Sequence, residues 1–297
     1  RANKFSLMKD TDGNYYTYEE YKTLIKDNQT DKDGNLIYLY SNNLEEQYSY
    51  IDVAKNKGYN VLLMDGQLDV AMVSMLEHKL EKCRFTRVDS DVVDRLIAKD
   101  EPKGNELDNN KKDILSSVFR SQIPSMNKVE FNVESQAMGE TGAPILITQS
   151  EYMRRMKEMA NIQAGMSFYG EMPDMYNVVL NSDHKLIKQV LNDTDSACSV
   201  ELLPIETSLA ALNFEQSELQ KKQQGMKYDE IPQEDKDALN EVEKKIADEK
   251  SKKDAVLSKY AGNNKVVRQL VDLALLQNNM LKGEALTNFV KRSIEMI

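Results

Sequence analysis

The chain has 297 residues, of which 40% are hydrophobic, so it is long enough for two domains that each bury a core. Its formal net charge of -10 disfavours nucleic acid as a partner, because phosphates would be repelled and no basic patch stands out in the sequence. No apolar run approaches the length of roughly 18 residues that a membrane-spanning helix needs. We therefore expect a globular protein that binds neither nucleic acid nor a membrane.

Cysteine and histidine usage gives no sign of a metal or catalytic site. Cys83 and Cys198 are far apart in the sequence, which favours a reduced, cytoplasmic setting over a disulfide-stapled secreted one. His78 and His184 stand apart from both cysteines, so neither zinc spacing nor a Cys/His pair is present. The chain begins at Arg1 without an initiator methionine or a signal peptide, which indicates a part of a longer protein.

Strand-like and helical patterns alternate over the first third of the chain. The apolar runs at 36–40 and 59–64 are typical of buried strands, and a third strand is predicted near 84–88. Helical patterns separate these strands, and the last helical pattern covers residues 69–80. The alternation predicts a small three-layer α/β subdomain with parallel strands.

A charged segment at residues 99–112, which contains proline and glycine, is the predicted domain boundary. It divides the chain into a first domain over residues 1–107 and a second over 108–297. The second domain has α+β character and does not continue the parallel layer. Its predicted elements are a helix at 113–123 and strands at 129–133, 144–148 and 176–180.

Methionine is concentrated in one part of this second domain. Six of the fifteen methionines lie between Met153 and Met175. Tyr152, Met153, Met156 and Met159 recur at helical spacing, with arginine, lysine and glutamate between them. Because methionine is flexible and polarizable, such a stripe suits either an irregular core or a surface that accepts many partners.

The segment 214–260 is highly charged and helical, with a break near 225–232. Its apolar heptad positions are interrupted by Glu249 and Lys253, which disfavours a long autonomous coiled coil. We expect a solvated helical hairpin in preference to a second dimerising zipper.

The last two predicted helices carry more apolar residues than one-sided packing requires. Packing against the same helices of a second chain, as a four-helix bundle, would cover this surplus. Docking onto the sheet of the same chain is the alternative. The residues predicted for the dimer interface are Val267, Leu270, Val271, Ala274, Leu275, Leu286, Phe289, Val290 and Ile294.

Two other classes of function stay open on the residues alone. A structural or adaptor protein with a coiled-coil character would use the charged hairpin to bind a specific partner. An enzyme would need a ligand where the parallel strands end, near Asp65. The Asp65-Gly66 turn lacks both common phosphate-binding glycine motifs, so an ordinary loop is favoured there.

Three stretches in order carry a resemblance to a known family. They are KGYNVLLMDGQLDVAMVSML, VVLNSDHKLIKQVL and VVRQLVDLALLQNNMLKGEALTNFVKRSIEMI. Together they resemble the heat-shock protein 90 chaperones, from the end of the middle region to the C-terminus. Ser182 and Lys185 stand where that family often has prolines. Residues 214–260 look like an insertion that the common core of the family lacks, so the resemblance implies nothing about their role.

The resemblance implies an ATP-dependent homodimeric chaperone whose terminal helices dimerise and whose amphipathic helix contacts unfolded or partly folded client proteins. The client-binding residues that it implies are Tyr152, Met153, Met156, Met159, Met166 and Phe168. The ATP- and magnesium-binding domain of the family would lie upstream of Arg1. We therefore expect this part of the protein to hold no cofactor and not to hydrolyse ATP.

Overall fold

The computed structural model describes residues 7–66, 69–99, 106–162, 172–225 and 231–295. Within these residues the strands are β1 (Met8–Lys9), β2 (Tyr15–Tyr16), β3 (Leu36–Ser41), β4 (Val61–Leu63), β5 (Cys83–Arg87), β6 (Val129–Gln136), β7 (Ile145–Thr148) and β8 (Asp174–Asn181). The helices are α1 (Tyr18–Ile25), α2 (Tyr48–Asn56), α3 (Asp69–Lys79), α4 (Val93–Leu96), α5 (Asn109–Arg120), α6 (Glu151–Ile162), α7 (Lys185–Gln223), α8 (Gln233–Asn263), α9 (Lys265–Gln277) and α10 (Gly283–Glu295).

The first third of the chain forms the predicted parallel sheet, in the order β4-β3-β5. All six residues of β3 are buried, as expected for a central strand that is covered on both faces. Tyr38 points toward α1 and α3, where it stacks on Phe85, whereas Leu39 packs on the opposite face with Ile51 of α2. The three-layer α/β subdomain is confirmed.

The second sheet is mixed, in the order β6-β8-β7. Its central strand β8 pairs in parallel with β6 and antiparallel with β7. The α+β character is thus confirmed. Both β6 and β8 are longer than predicted, because their polar ends continue the backbone ladder without an apolar pattern; Gln136 still pairs with Asn181, for example.

The chain divides into two compact units. The first contains residues 1–106, 124–184 and 272–297, and the second contains 107–123 and 185–271. The first change of unit falls beside the predicted domain boundary at 107/108. Residues of the predicted second domain belong to both units, so the division into domains 1–107 and 108–297 stays a prediction.

The second unit is built from α5, the long helices α7 and α8 and the first half of α9. Helix α5 begins earlier than predicted, because the Asp108 carboxylate accepts a hydrogen bond from the Lys111 N–H at 2.9 Å and caps the helix there. Helices α7 and α8 form a hairpin in which Leu209 packs with Val242 and Ile246. A helical hairpin over the charged segment is therefore present.

One predicted interruption of the hairpin seam proves to be a packed position. Lys253 is 5% exposed, and its ammonium donates to Asn110 Oδ1 at 2.8 Å. The same ammonium pairs with Asp113 at 3.1 Å and with Glu206 at 3.5 Å. The lysine is accommodated because two other helices of the unit, α5 and α7, supply partners for its charge.

Candidate functional site

Helix α6 carries the methionine stripe and two sharply different faces. With about 100° of rotation per residue, Glu151, Arg154, Arg155 and Glu158 share one side of the helix. Tyr152, Met153, Met156 and Met159 share the other. In an ordinary surface helix the apolar side is buried and the charged side is solvated. Here the most deeply buried of the described side chains on the helix is a charged one.

Arg154 is the most buried side chain described on α6, with 5% of its surface exposed. Its Nη2 donates to the Tyr40 hydroxyl at 2.5 Å and to Glu151 Oε1 at 2.7 Å, and its Nη1 pairs with Glu158. The guanidinium also lies over the ring of Tyr40, with 5.9 Å to the ring centroid. Arg154 thereby ties α6 to the end of β3.

Arg155 fixes the helix to two more elements. Its guanidinium donates to Glu77 of α3 at 2.6 Å and to the backbone carbonyl of Phe85 in β5 at 2.6 Å. Glu77 in turn accepts a hydrogen bond from the Phe85 N–H at 2.6 Å. Such bidentate, charge-assisted contacts restrict orientation strongly, so the charged face of α6 is held against the α/β sheet.

Glu151 is the acceptor at the centre of this cluster. It receives hydrogen bonds from the Tyr40 hydroxyl at 2.9 Å, from the Arg87 N–H at 3.1 Å and from Arg155 Nε at 2.5 Å. Burial disfavours the charged carboxylate, but the two guanidinium groups outweigh burial and hold the pKa of Glu151 below its usual value. Burial, together with the neighbouring Glu151 charge, raises the pKa of Tyr40.

The predicted client-binding residues lie on the opposite side of α6. Tyr152 is 67% exposed, and Met153, Met156 and Met159 are half-buried. The structure brings these four onto one face, while Met166 and Phe168 lie outside the described residues. With its charged side bound to the sheet, the helix keeps an apolar side that is partly open to solvent.

Sequence reasoning missed the anchoring role of Arg154 and Arg155. Glu151 with Arg155, and Arg154 with Glu158, have the i,i+4 spacing of ion pairs along a helix. On most helices, however, such pairs are solvated, so the spacing does not predict burial. The partners that bury the cluster, Tyr40 and Glu77, are distant in sequence and carry no pattern that points to α6.

A small cavity lies where the parallel strands end, close to the Asp65-Gly66 turn. Its volume is about 150 Å³, and it is lined by Tyr40, Asn42, Met64, Asp65, Gly66, Asp69, Val73 and Arg154. The Asp69 carboxylate accepts a hydrogen bond from the Gly66 N–H at 2.8 Å. The turn is therefore stabilised by the first residue of α3, as an ordinary loop would be.

The terminal helices divide the predicted dimer-interface residues into two groups. The five residues that lie on α9 are already buried within the single chain: Val267, Leu270, Val271, Ala274 and Leu275. Their place in a dimer interface stays a prediction, since the single chain already covers them. They have almost no surface left to offer a partner.

Helix α10 is different, since none of its described residues is buried. Leu286 and Phe289 are half-buried, Val290 is 47% exposed and Ile294 is 68% exposed. These four residues recur at i, i+3, i+4 and i+8, which places them on one stripe. An ion pair between Asp272 and Arg292, both largely buried, fixes α10 to the end of α9.

Comparison with known proteins gives a consistent family. The chain is 67% identical over all 297 residues to the chaperone protein htpG of Bacteroides fragilis strain YCH46. It is 65% identical over the same length to the chaperone protein HtpG of Bacteroides thetaiotaomicron, and 44% identical to that of Porphyromonas gingivalis. Over its whole length the chain matches part of the HtpG chaperones of the heat-shock protein 90 family.

The resemblance seen in three stretches of sequence is thus confirmed and covers the whole chain. The chain spans 44% of the length of the two Bacteroides HtpG relatives and 43% of the Porphyromonas one. No family model matches the chain. Among the residues that the structure describes, none of the helices is both long and apolar enough to span a membrane.

Proposed function

We propose that this chain is the client-holding and dimerising part of an ATP-dependent HtpG chaperone that works in the cytoplasm. In this function α6 presents its apolar face to unfolded or partly folded proteins, and α10 joins two copies of the chain. Clients are held by contacts that lack directionality, so that many sequences are accepted. The bound protein is not altered chemically.

The observation that carries the proposal is the reversed burial of α6. Buried ion pairs fix its charged face to the α/β sheet, and the methionine face stays partly open. Exposing apolar side chains costs free energy, and a patch of this kind on a soluble protein is typical of an interaction surface. Flexible methionine side chains can adapt to apolar groups of different shapes.

Dimerisation through α10 is supported by its unburied apolar stripe. We narrow the proposed interface to Leu286, Phe289, Val290 and Ile294, with Leu273 of α9, which is 47% exposed, at its edge. A second copy of the stripe would complete a helical bundle and remove these side chains from water. The buried residues of α9 then support the interface from within.

ATP hydrolysis belongs, in this proposal, to a part of the protein outside the 297 residues. Neither of the common phosphate-binding glycine motifs occurs in the chain. We expect ATP with magnesium to leave the melting temperature of the chain unchanged, because a ligand that binds only the folded state would raise it.

The proposed client surface can be tested with an aggregation-prone client at elevated temperature, followed by light scattering. The variant Met153→Ser/Met156→Ser should protect the client several-fold less well than the unmodified chain. Met75→Ser serves as the control, because Met75 is also a partly exposed methionine but lies on α3. Equal protection by the double variant and by the control would contradict the proposal, provided that circular dichroism shows both to be folded.

A further inference from the structure

Helix α7 carries a second apolar face that goes beyond the proposed function. Three large side chains stand out on it: Val200 is 86% exposed, Leu203 is 67% exposed and Phe214 is 69% exposed. At about 1.5 Å of rise per residue, the face from Val200 to Phe214 is about 21 Å long. Its exposed members are Ala197, Val200, Leu203, Pro204, Thr207, Ala210, Ala211 and Phe214.

This face is not the one that holds the hairpin together. Leu202 and Leu209 are buried on the other side of α7, where Leu209 packs with Val242 and Ile246 of α8. The exposed stripe lies on the side of α7 that faces away from α8. Three large apolar side chains that are exposed along one helix face form a patch of the kind that is often functional on soluble proteins.

The charged residues of α7 that border the stripe are acidic. Between Lys188 and Lys221 the helix contains no lysine, arginine or histidine, whereas six carboxylates occur there. Of these, Asp193, Glu201 and Glu215 are exposed residues that border the stripe. The face therefore combines an apolar centre with a negative margin.

We propose that this face of α7 binds an amphipathic helix of another protein, whose apolar side is bordered by lysine and arginine. A helical partner is favoured because two helices pack side by side along such a stripe, with about 8–10 Å between their axes. An extended strand is disfavoured, since most backbone groups of α7 are paired within the helix and Pro204 has no N–H to donate. The basic margin of the partner meets the acidic margin of α7.

The same charges disfavour the other occupants. A second copy of the chain would bring two acidic faces together, and anionic lipid headgroups would also be repelled. The partner site is independent of α6 and α10, so it holds whether or not α6 binds clients.

The probe for this site is a fluorescein-labelled synthetic helix of leucine and lysine, about 18 residues long, which spans about 27 Å. Binding to the whole chain is measured by fluorescence anisotropy. We expect Leu203→Ser/Phe214→Ser to weaken binding at least tenfold. Glu201→Gln/Glu215→Gln should weaken it several-fold and flatten its dependence on salt, because the opposing charges are removed. All four residues are exposed, so both variants should fold.

Matched controls separate this site from other apolar surfaces. Leu24→Ser/Val53→Ser removes two exposed apolar side chains from α1 and α2 and should leave binding unchanged. In a chain that already carries Met153→Ser/Met156→Ser, Leu203→Ser/Phe214→Ser should still weaken binding at least tenfold, which distinguishes this site from the proposed client surface. A peptide with every lysine replaced by glutamate should bind at least tenfold more weakly.

Three results would overturn the proposal. The first is unchanged peptide affinity in the Leu203→Ser/Phe214→Ser variant. The second is equal binding of the lysine and glutamate peptides. The third is a fall in the sedimentation mass of this variant without peptide, which would show that a second copy of the chain occupies the face.

Discussion

The Arg154 guanidinium and the Tyr40 hydroxyl form a 2.5 Å hydrogen bond across 114 residues of sequence. Tyr40 lies near the end of the central parallel strand, and Arg154 lies in the first turn of the methionine-rich helix. Since the hydroxyl also donates to Glu151, the strand and the helix share one hydrogen-bonded cluster. This contact determines which face of α6 is buried, and with it where the methionines lie.

Arg154→Ala should destabilise the chain by about 3 kcal/mol, because it leaves the buried carboxylate of Glu151 with fewer partners. The measurement is the free energy of unfolding from urea denaturation. Lys157→Ala is the control, since its pair with Asp174 is partly exposed and should cost no more than about 1 kcal/mol. Equal losses in the two variants would mean that the buried cluster does not anchor α6.

The buried cluster around Glu151 should also make the stability of the fold depend on pH. The pKa of Glu151 is lower in the folded chain than its ordinary value of 4.5, so the folded state favours the charged form. This stabilisation is fully present above pH about 4.5 and is lost as pH falls through the folded pKa. We expect Glu151→Gln to be less stable than the unmodified chain at pH 7, and the difference to shrink below pH about 4.5. A difference in unfolding free energy between the two chains that stays constant from pH 7 to pH 3 would contradict this.

Helix α10 should govern the oligomeric state. Val290→Glu/Ile294→Glu places two charges on exposed positions of the apolar stripe, so the fold should survive while the dimer dissociates to monomers. Analytical ultracentrifugation at micromolar concentration measures the change. Asn288→Glu, on the exposed opposite side of the same helix, should leave the mass unchanged. If the double variant is still a dimer, α10 does not form the interface.

Lys253 should contribute to the stability of the hairpin unit. Lys253→Ala removes a buried aliphatic stem and a charge with three partners, and a loss of about 1–2 kcal/mol is expected. The cost should be lower than for Arg154, because Asp113 stays well exposed to water. Lys252→Ala, whose lysine is largely exposed, should be nearly neutral in the same urea titration. A neutral Lys253→Ala would show that the seam does not depend on the lysine.

The α/β layer could be predicted because burial on both faces requires continuous apolar strands. Leu36 to Tyr40 and Val61 to Leu63 carry that signal in their own residues. The polar ends of β6 and β8 could not be predicted, since strand pairing there depends on backbone groups that every residue has. The early start of α5 rested on a single capping residue, Asp108, in a charged segment that otherwise resembles a linker.

The sequence by itself determined the family, the two kinds of sheet and the helical spacing of the methionines, because local pattern and resemblance are properties of the linear chain. Only the tertiary structure decided that α6 is held by its arginines, and that five apolar residues of α9 are buried whereas none of the described residues of α10 is. Each of these outcomes depends on partners brought together from distant parts of the chain. A helical stripe specifies which residues share a face, and the surrounding contacts decide whether that face is buried.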